Sequence, residues 1–234
     1  MDNFDSNVIG QFILYMVALV FSLSVHESAH AWMSNRFGDD LARLQGRITL
    51  NPAAHIDPIG TLLFPAIAFF THIPIIGWAK PTPVNPLKWR NKRVANFWVS
   101  AAGVISNAII AITAGVIMRA LSEANVVELY IHPFYGLSAE ATSPSIIAEG
   151  AAKLLSGFFS LNVALAIFNL LPVPPLDGSK ILTSVLPASF EPAIEMLERF
   201  GMVLLMILVF TGVLGIVFRI IMPLVSYPFV IGLS

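Results

Sequence analysis

The sequence predicts an all-α polytopic membrane protein. It should have about four strong transmembrane helices, a short or re-entrant apolar element, and a small β-strand/loop region between the first two strong spans. Three observations carry this. Of 234 residues, 56% are hydrophobic and only 12% are charged, about half the charged share of a soluble domain. Mean hydropathy is +0.80. The apolar residues gather in runs of the length a bilayer core requires. This composition excludes a soluble globular domain, a disordered chain and a fibrous repeat. A net charge of −1 offers no basic surface for nucleic acid. Cysteine is absent, so a metal would need His, Asp, Glu or backbone oxygen. One membrane-embedded domain over 1–234 is expected, with its core at about 8–222.

The first apolar run, Val8 to Val25, has about 18 residues before the first ionisable group, enough to span. Ala29-His30-Ala31 fits a small-x-small cleavage site. The preceding stretch holds Asp2 and Asp5 and no Lys or Arg, so a retained span is expected rather than a signal peptide. Asn35 to Gly60 is polar. Within it Leu44 to Leu50 has strand-like composition, and Asn51 to Gly60, with two prolines and a glycine, reads as a loop. Thr61 to Ala79 is apolar but holds Pro65, His72 and Pro74. It is either a short span or a re-entrant element, and re-entry is favoured because it keeps the positive charge on one face. Gly77 to Pro86 is too proline-rich for a helix. The second strong span, Val94 to Met118, carries a face of small residues suited to close helix packing. Ser122 to Ala148 reads as a polar loop. The third span, Ile146 to Leu171, ends at Pro172-Val173-Pro174-Pro175-Leu176-Asp177-Gly178, and a short helix from Ser179 to Leu186 follows. Phe200 to Ile221 is the last span.

Orientation follows from the basic residues. Arg36, Arg43, Arg47, Lys80, Lys88, Arg90, Lys92 and Arg93 all lie between the first two strong spans. The positive-inside rule places that stretch in the cytoplasm and the N-terminus outside, provided Thr61 to Ala79 does not cross. Asp177 then returns to the cytoplasmic side. Trp78, Trp89 and Trp98 read as an interfacial aromatic belt.

His26-Glu27-x-x-His30 is the strongest local signal. Its two histidines are about one helical turn apart, so both rings project from one face. Two nitrogens at that spacing can hold one Zn²⁺, and the intervening Glu27 can take a proton from zinc-bound water. The bland alternative is polar packing between helices. It is weakened because ionisable groups inside a span are costly and mark function by default. A catalytic zinc needs a third protein ligand and an open position. The candidates are His55, Asp57, His72, His132, Glu149 and Asp177. His132 and Glu149 fall on the outer side. Asp177 falls on the same side as the basic stretch, in a proline-fixed turn, which favours it over a simple turn or cap role.

His26-Glu27-Ser28-Ala29-His30, then Asn51-Pro52-x-x-His55-x-Asp57-Pro58-x-Gly60, then Asn169-x-x-Pro172-x-Pro174-x-Leu176-Asp177-Gly178 resemble the site-2 protease family of intramembrane zinc metalloproteases. Gly103-x-x-x-Asn107 fits the same family, and Gly77 to Pro86 looks like its compact subgroup without PDZ or CBS modules. The departures, Ser179 for a frequent glycine and Val104 for a frequent proline, supply no metal chemistry. The resemblance implies that Asp177 is the third zinc ligand, Glu27 the catalytic base, and Asn169 a polar group near the metal. An amide there could serve as an oxyanion donor or as a helix–helix hydrogen bond. His55 is expected to order a loop rather than supply a fourth ligand, which would fill the open site. Asp57 should cap the helix that begins at Pro58.

The function expected is an intramembrane zinc metalloendopeptidase with one Zn²⁺ per chain. It would cut transmembrane protein substrates, in a bacterial-type cell membrane, with its active-site mouth towards the cytoplasm. A transporter using the His/Asp cluster as a transient metal or proton site is the first alternative. It would spread polar groups along a path, whereas here they gather at one depth. An inactive zinc-binding scaffold is the second, and it would have no use for Glu27.

Overall fold

The computed structural model describes residues 6–73, 75 and 77–232; Asp2, Asp5 and Pro74 lie outside them. The chain is mainly helical. α1 spans Ser6–Arg36, a short α2 Leu41–Leu44, and a π-helical turn at Pro58–Leu63 runs into α3, Phe64–Thr71. Next come α4 (Lys92–Glu123), a hairpin of β1 (Val127–His132) and β2 (Gly136–Ala141), α5 (Ile146–Leu170) and α6 (Asp177–Val185). α7 (Glu191–Phe210) and α8 (Val213–Ser226) complete the fold. Three helices, α1, α4 and α5, are long and apolar enough to cross a membrane, and a fourth crossing is available if α7 and α8 act together. The polytopic all-α architecture is as expected.

α4 organises the bundle. Asn91 caps it by accepting from the Val94 N–H at 3.2 Å. Its buried face is made of small residues, among them Ala95, Ser100, Ala101, Ala102, Gly103, Ala111 and Ala114. Small side chains let α1, α5 and α6 approach its backbone, the packing mode of membrane bundles. At the other end Met118, Leu137, Phe159 and Met222 join α4, the hairpin, α5 and α8 in one apolar cluster.

The apolar element after the first span is re-entrant. Asp57 caps its start, as expected, with Oδ1 accepting from Ile59 N at 3.0 Å and Gly60 N at 2.7 Å. The helix runs only to Thr71 and turns at His72, whose φ is +57°. The chain then comes back extended. Trp78 N–H donates to Gly60 O at 3.1 Å and Lys80 N–H to His55 O at 2.8 Å. Both ends therefore meet at one level. The close return needs Gly60, since a Cβ there would stand 2.5 Å from the Trp78 ring.

Four expectations are corrected. No strand forms over Leu44 to Leu50: Gly46 turns there at φ +68°, and the segment has no partner edge, so this region is loop. The only sheet among the described residues is the hairpin between α4 and α5, inside what reads in sequence as a polar loop. Its alternation is real, pairing Val127 with Ala141 and Leu129 with Ala139 on one face. The last span is not continuous. Gly212, at φ +77°, ends α7, and α8 leaves at 70°. One tryptophan departs from the expected belt: Trp78 and Trp98 are exposed, but Trp89 is buried with its indole N–H on Ser34 Oγ at 2.9 Å. Trp78 also packs edge-on against Phe64.

Candidate active site

Ser22, His26, His30 and Ser34 recur every fourth residue along α1, and all four are buried. The stripe faces α4 and α5, and it is there that the imidazoles find their partners. His30 Nδ1 lies 2.6 Å from the Val99 carbonyl, which can only accept, so that nitrogen carries the proton. The same logic fixes His26 through a chain. Asn162 Nδ2 donates to Phe158 O at 2.8 Å and to Ser22 Oγ at 2.8 Å, and Ser22 passes its own proton to Ala18 O. Asn162 Oδ1 therefore faces Asn107 and accepts from its Nδ2 at 2.7 Å. That leaves Asn107 Oδ1 towards His26, accepting from Nδ1–H at 2.5 Å. In the neutral rings both Nε2 atoms are then bare lone pairs.

Asp177 completes the group. It opens α6 and is buried. Its Oδ2 lies 3.3 Å from His26 Nε2 and 3.1 Å from His30 Nε2, while the two Nε2 atoms are 3.0 Å apart. With both protons on Nδ1, the Nε2–Nε2 approach is no hydrogen bond, and Oδ2 has no donor of its own. Three buried ligand atoms facing one another are arranged as a cation site requires. Ligand atoms about 2.0–2.1 Å from a tetrahedral zinc stand about 3.3 Å apart, close to the spacing found. Gly103 makes the room, because a Cβ there would come 2.5 Å from His30 Nε2 and 2.6 Å from His26 Cε1. Gly178 does the same for α6, where a Cβ would collide with the Leu170 carbonyl. The residues present fit a divalent metal.

Glu27 points into the same cavity, of about 830 Å³, which His26, His30, Asn169 and Asp177 also line. Its Oε2 accepts from Thr82 N–H at 2.8 Å, and Thr82 Oγ donates to the Glu27 carbonyl at 2.9 Å. Asn169 Nδ2 donates to Leu165 O at 3.0 Å, and its second N–H has no partner among the described residues. Phe64, Trp78, Leu165, Phe168 and Met206 make most of the remaining wall apolar.

The other candidates lie apart. His55 is almost wholly buried and bonds the Thr49 carbonyl through Nε2 at 2.9 Å, ordering the loop. His72 sits exposed at the tip of the re-entrant element, His132 in the hairpin, and Glu149 pairs with Lys153. Sequence reasoning gave no role to Ser22, Asn107 or Asn162. The signal was available: polar residues in apolar spans, Ser22 one turn before His26 and Asn107 one turn after Gly103. Arg47 was read only as charge. It is buried, and its Nη2 donates to the Lys80 and Pro81 carbonyls.

The family model described as Peptidase family M50 matches residues 14–210. "Putative zinc metalloprotease YwhC" of Bacillus subtilis is 36% identical over 196 residues, which cover 84% of this chain and 80% of that protein. "Putative zinc metalloprotease Rip2" of Mycolicibacterium smegmatis is 27% identical over 207 residues, 88% of this chain and 70% of its own length. The protein of the same name from Mycobacterium tuberculosis is 26% identical over 200 residues, 85% of this chain and 67% of its own. No solved structure matches. The chain belongs to peptidase family M50, the site-2 protease family.

Proposed function

We propose that this protein is an intramembrane zinc metalloendopeptidase in which His26, His30 and Asp177 hold the metal and Glu27 is the general base. The observation that carries the reading is the convergence of three buried, proton-free ligand atoms beside a carboxylate in one largely apolar cavity. Zinc bound there supplies a Lewis acid and a water acidic enough to attack a peptide carbonyl near neutral pH. Glu27 takes a proton from the attacking water and returns it to the leaving amine. Thr82 holds the carboxylate for that exchange. The second N–H of Asn169 donates to the carbonyl oxygen as charge develops on it. The apolar wall excludes bulk water and strengthens each of these interactions.

A helical substrate hides its amides in its own hydrogen bonds and must unwind before attack. Gly77 to Asn85 supports a docking edge for the unwound segment. Trp78, Lys80 and Thr82 turn their N–H groups inward. Gly77 and Ala79 turn theirs to the other edge, where no partner is present among the described residues, and Pro81 and Pro83 have none to offer. An incoming strand would pair there over a short, fixed register. The mouth faces the cytoplasm in this reading, the side on which the positive-inside rule places the basic residues.

The test is Glu27→Gln in purified full-length protein. Zinc should stay near one equivalent while proteolysis of a membrane-protein substrate falls by about 10²–10⁴-fold, as loss of general-base assistance predicts. His26→Ala with His30→Ala should abolish zinc binding. Full zinc occupancy in that double variant would sink the site.

A further inference from the structure

Asp177 reaches the histidine pair from a helix of only nine residues with no side-chain cap at its start. So short an element has little hold of its own on its position. Its opposite end is held from α4. The Arg93 guanidinium donates through Nε to Ser184 O at 2.5 Å and through Nη2 to Val185 O at 2.9 Å and Leu186 O at 3.1 Å. These are the last carbonyls of α6 and its cap, the negative pole of the helix, where a cation is favoured. One turn along α4, Asn96 Nδ2 donates to Lys180 O at 3.0 Å and Ser184 Oγ at 2.9 Å. Lys92, adjacent in sequence and equally basic, makes no such bond among the described residues.

Residues 93, 96, 100, 103 and 107 repeat at three and four and so form one stripe of α4. The stripe orients His26 through Asn107, makes room for both rings at Gly103, and grips α6 through Asn96 and Arg93. We infer that Arg93 and Asn96 are positioning residues for the metal centre: by clamping the C-terminal turn of α6 they set where Asp177 stands relative to His26 and His30. This rests on reading those three residues as zinc ligands. The mechanical argument is simple. Metal–ligand distances tolerate only about ±0.2 Å, while half a helical turn of slippage moves a side chain by about 2.7 Å. Arginine suits the task because its rigid planar fork spreads donors over separate nitrogens, so that Nε and Nη2 reach three carbonyls in a fixed geometry, whereas an ammonium is a compact point charge on a flexible stem.

The experiment uses the full-length protein in detergent. Zinc affinity is measured by competition with a chromophoric chelator, and thermal unfolding is measured on chelator-stripped protein. Arg93→Ala and Asn96→Leu should each weaken zinc about tenfold, the scale seen when groups behind metal ligands are removed. Arg93→Lys should recover part of the loss. Lys92→Ala, which removes the same charge, should stay within about twofold. Unfolding of the stripped forms should be alike. The inference is overturned if Arg93→Ala and Asn96→Leu both bind zinc as wild type does, or if Lys92→Ala weakens it equally. Should Arg93→Ala fail to fold, Asn96→Leu decides alone. A wild-type protein without zinc overturns the reading of the site as well; normal zinc with insensitive variants overturns this inference only.

Discussion

At the scale of single residues, the site depends on where protons sit. The sequence announced His26, Glu27 and His30 through one short pattern, because four-residue spacing on a helix is geometry that local sequence can encode. It showed Asn107 and Asn162 only as polar residues inside apolar spans; their roles depend on partners 81 and 55 residues away, which local spacing does not encode. Their amide chain keeps the His26 proton on Nδ1 and so keeps Nε2 free for a metal. Asn107→Leu breaks that chain twice, leaving the His26 N–H and Asn162 Oδ1 unpaired. Zinc affinity should fall about 10–100-fold. Because the amides act in series, adding Asn162→Leu should cost far less than its effect alone. A chelator-competition titration of both singles and the double variant checks this. Strictly additive losses would show that the amides do not work through one another.

At the scale of elements, chain ends and returns matter more than helix interiors. The long spans were legible from hydropathy, and Asp57-Pro58 announced a helix start by its chemistry. The break at Gly212 was not, because one glycine in an apolar run is compatible with a continuous helix. The extended segment that lines the cavity is fixed by loop contacts that sequence does not display. Asp39, just beyond α1, is fully buried. Its carboxylate accepts from Ser34 Oγ at 3.0 Å, Leu41 N at 3.1 Å and Asn85 N at 2.7 Å, and so ties the end of the histidine helix to the base of that segment. Asp39→Ala strands those donors, and an unpaired buried donor costs about 1–3 kcal/mol. A clear fall in the melting temperature of the detergent-solubilised protein is expected, with proteolysis reduced as the segment loosens around Thr82 and Glu27. Unchanged melting would mean the tie carries no stability.

At the scale of the whole molecule, the re-entrant element decides on which face each segment lies. Its apolar composition resembled a short span; its helix, Pro58–Thr71, covers about 21 Å against a ~30 Å hydrocarbon core. The hydrogen bond from Lys80 N–H to His55 O closes the excursion. Residues before it, such as Arg43, and after it, such as Lys92, therefore share one face, while the hairpin lies across α4 from them. Most basic residues lie on the Lys92 side, while Arg119, Lys153 and Arg219 lie towards the hairpin, so the positive-inside rule predicts one orientation. The cysteine-free sequence makes this directly measurable with single cysteines. Arg47 and Ser138 are buried and would report packing rather than sidedness. Gln45, Lys92 and Tyr135 are exposed and suit the purpose. In intact cells a membrane-impermeant thiol reagent should label Tyr135→Cys and spare Gln45→Cys and Lys92→Cys, with all three labelled after permeabilisation. Labelling of Gln45→Cys alone among the two basic-side positions would mean the element crosses after all. Labelling of both with protection of Tyr135→Cys would invert the molecule and turn the mouth of the site outward.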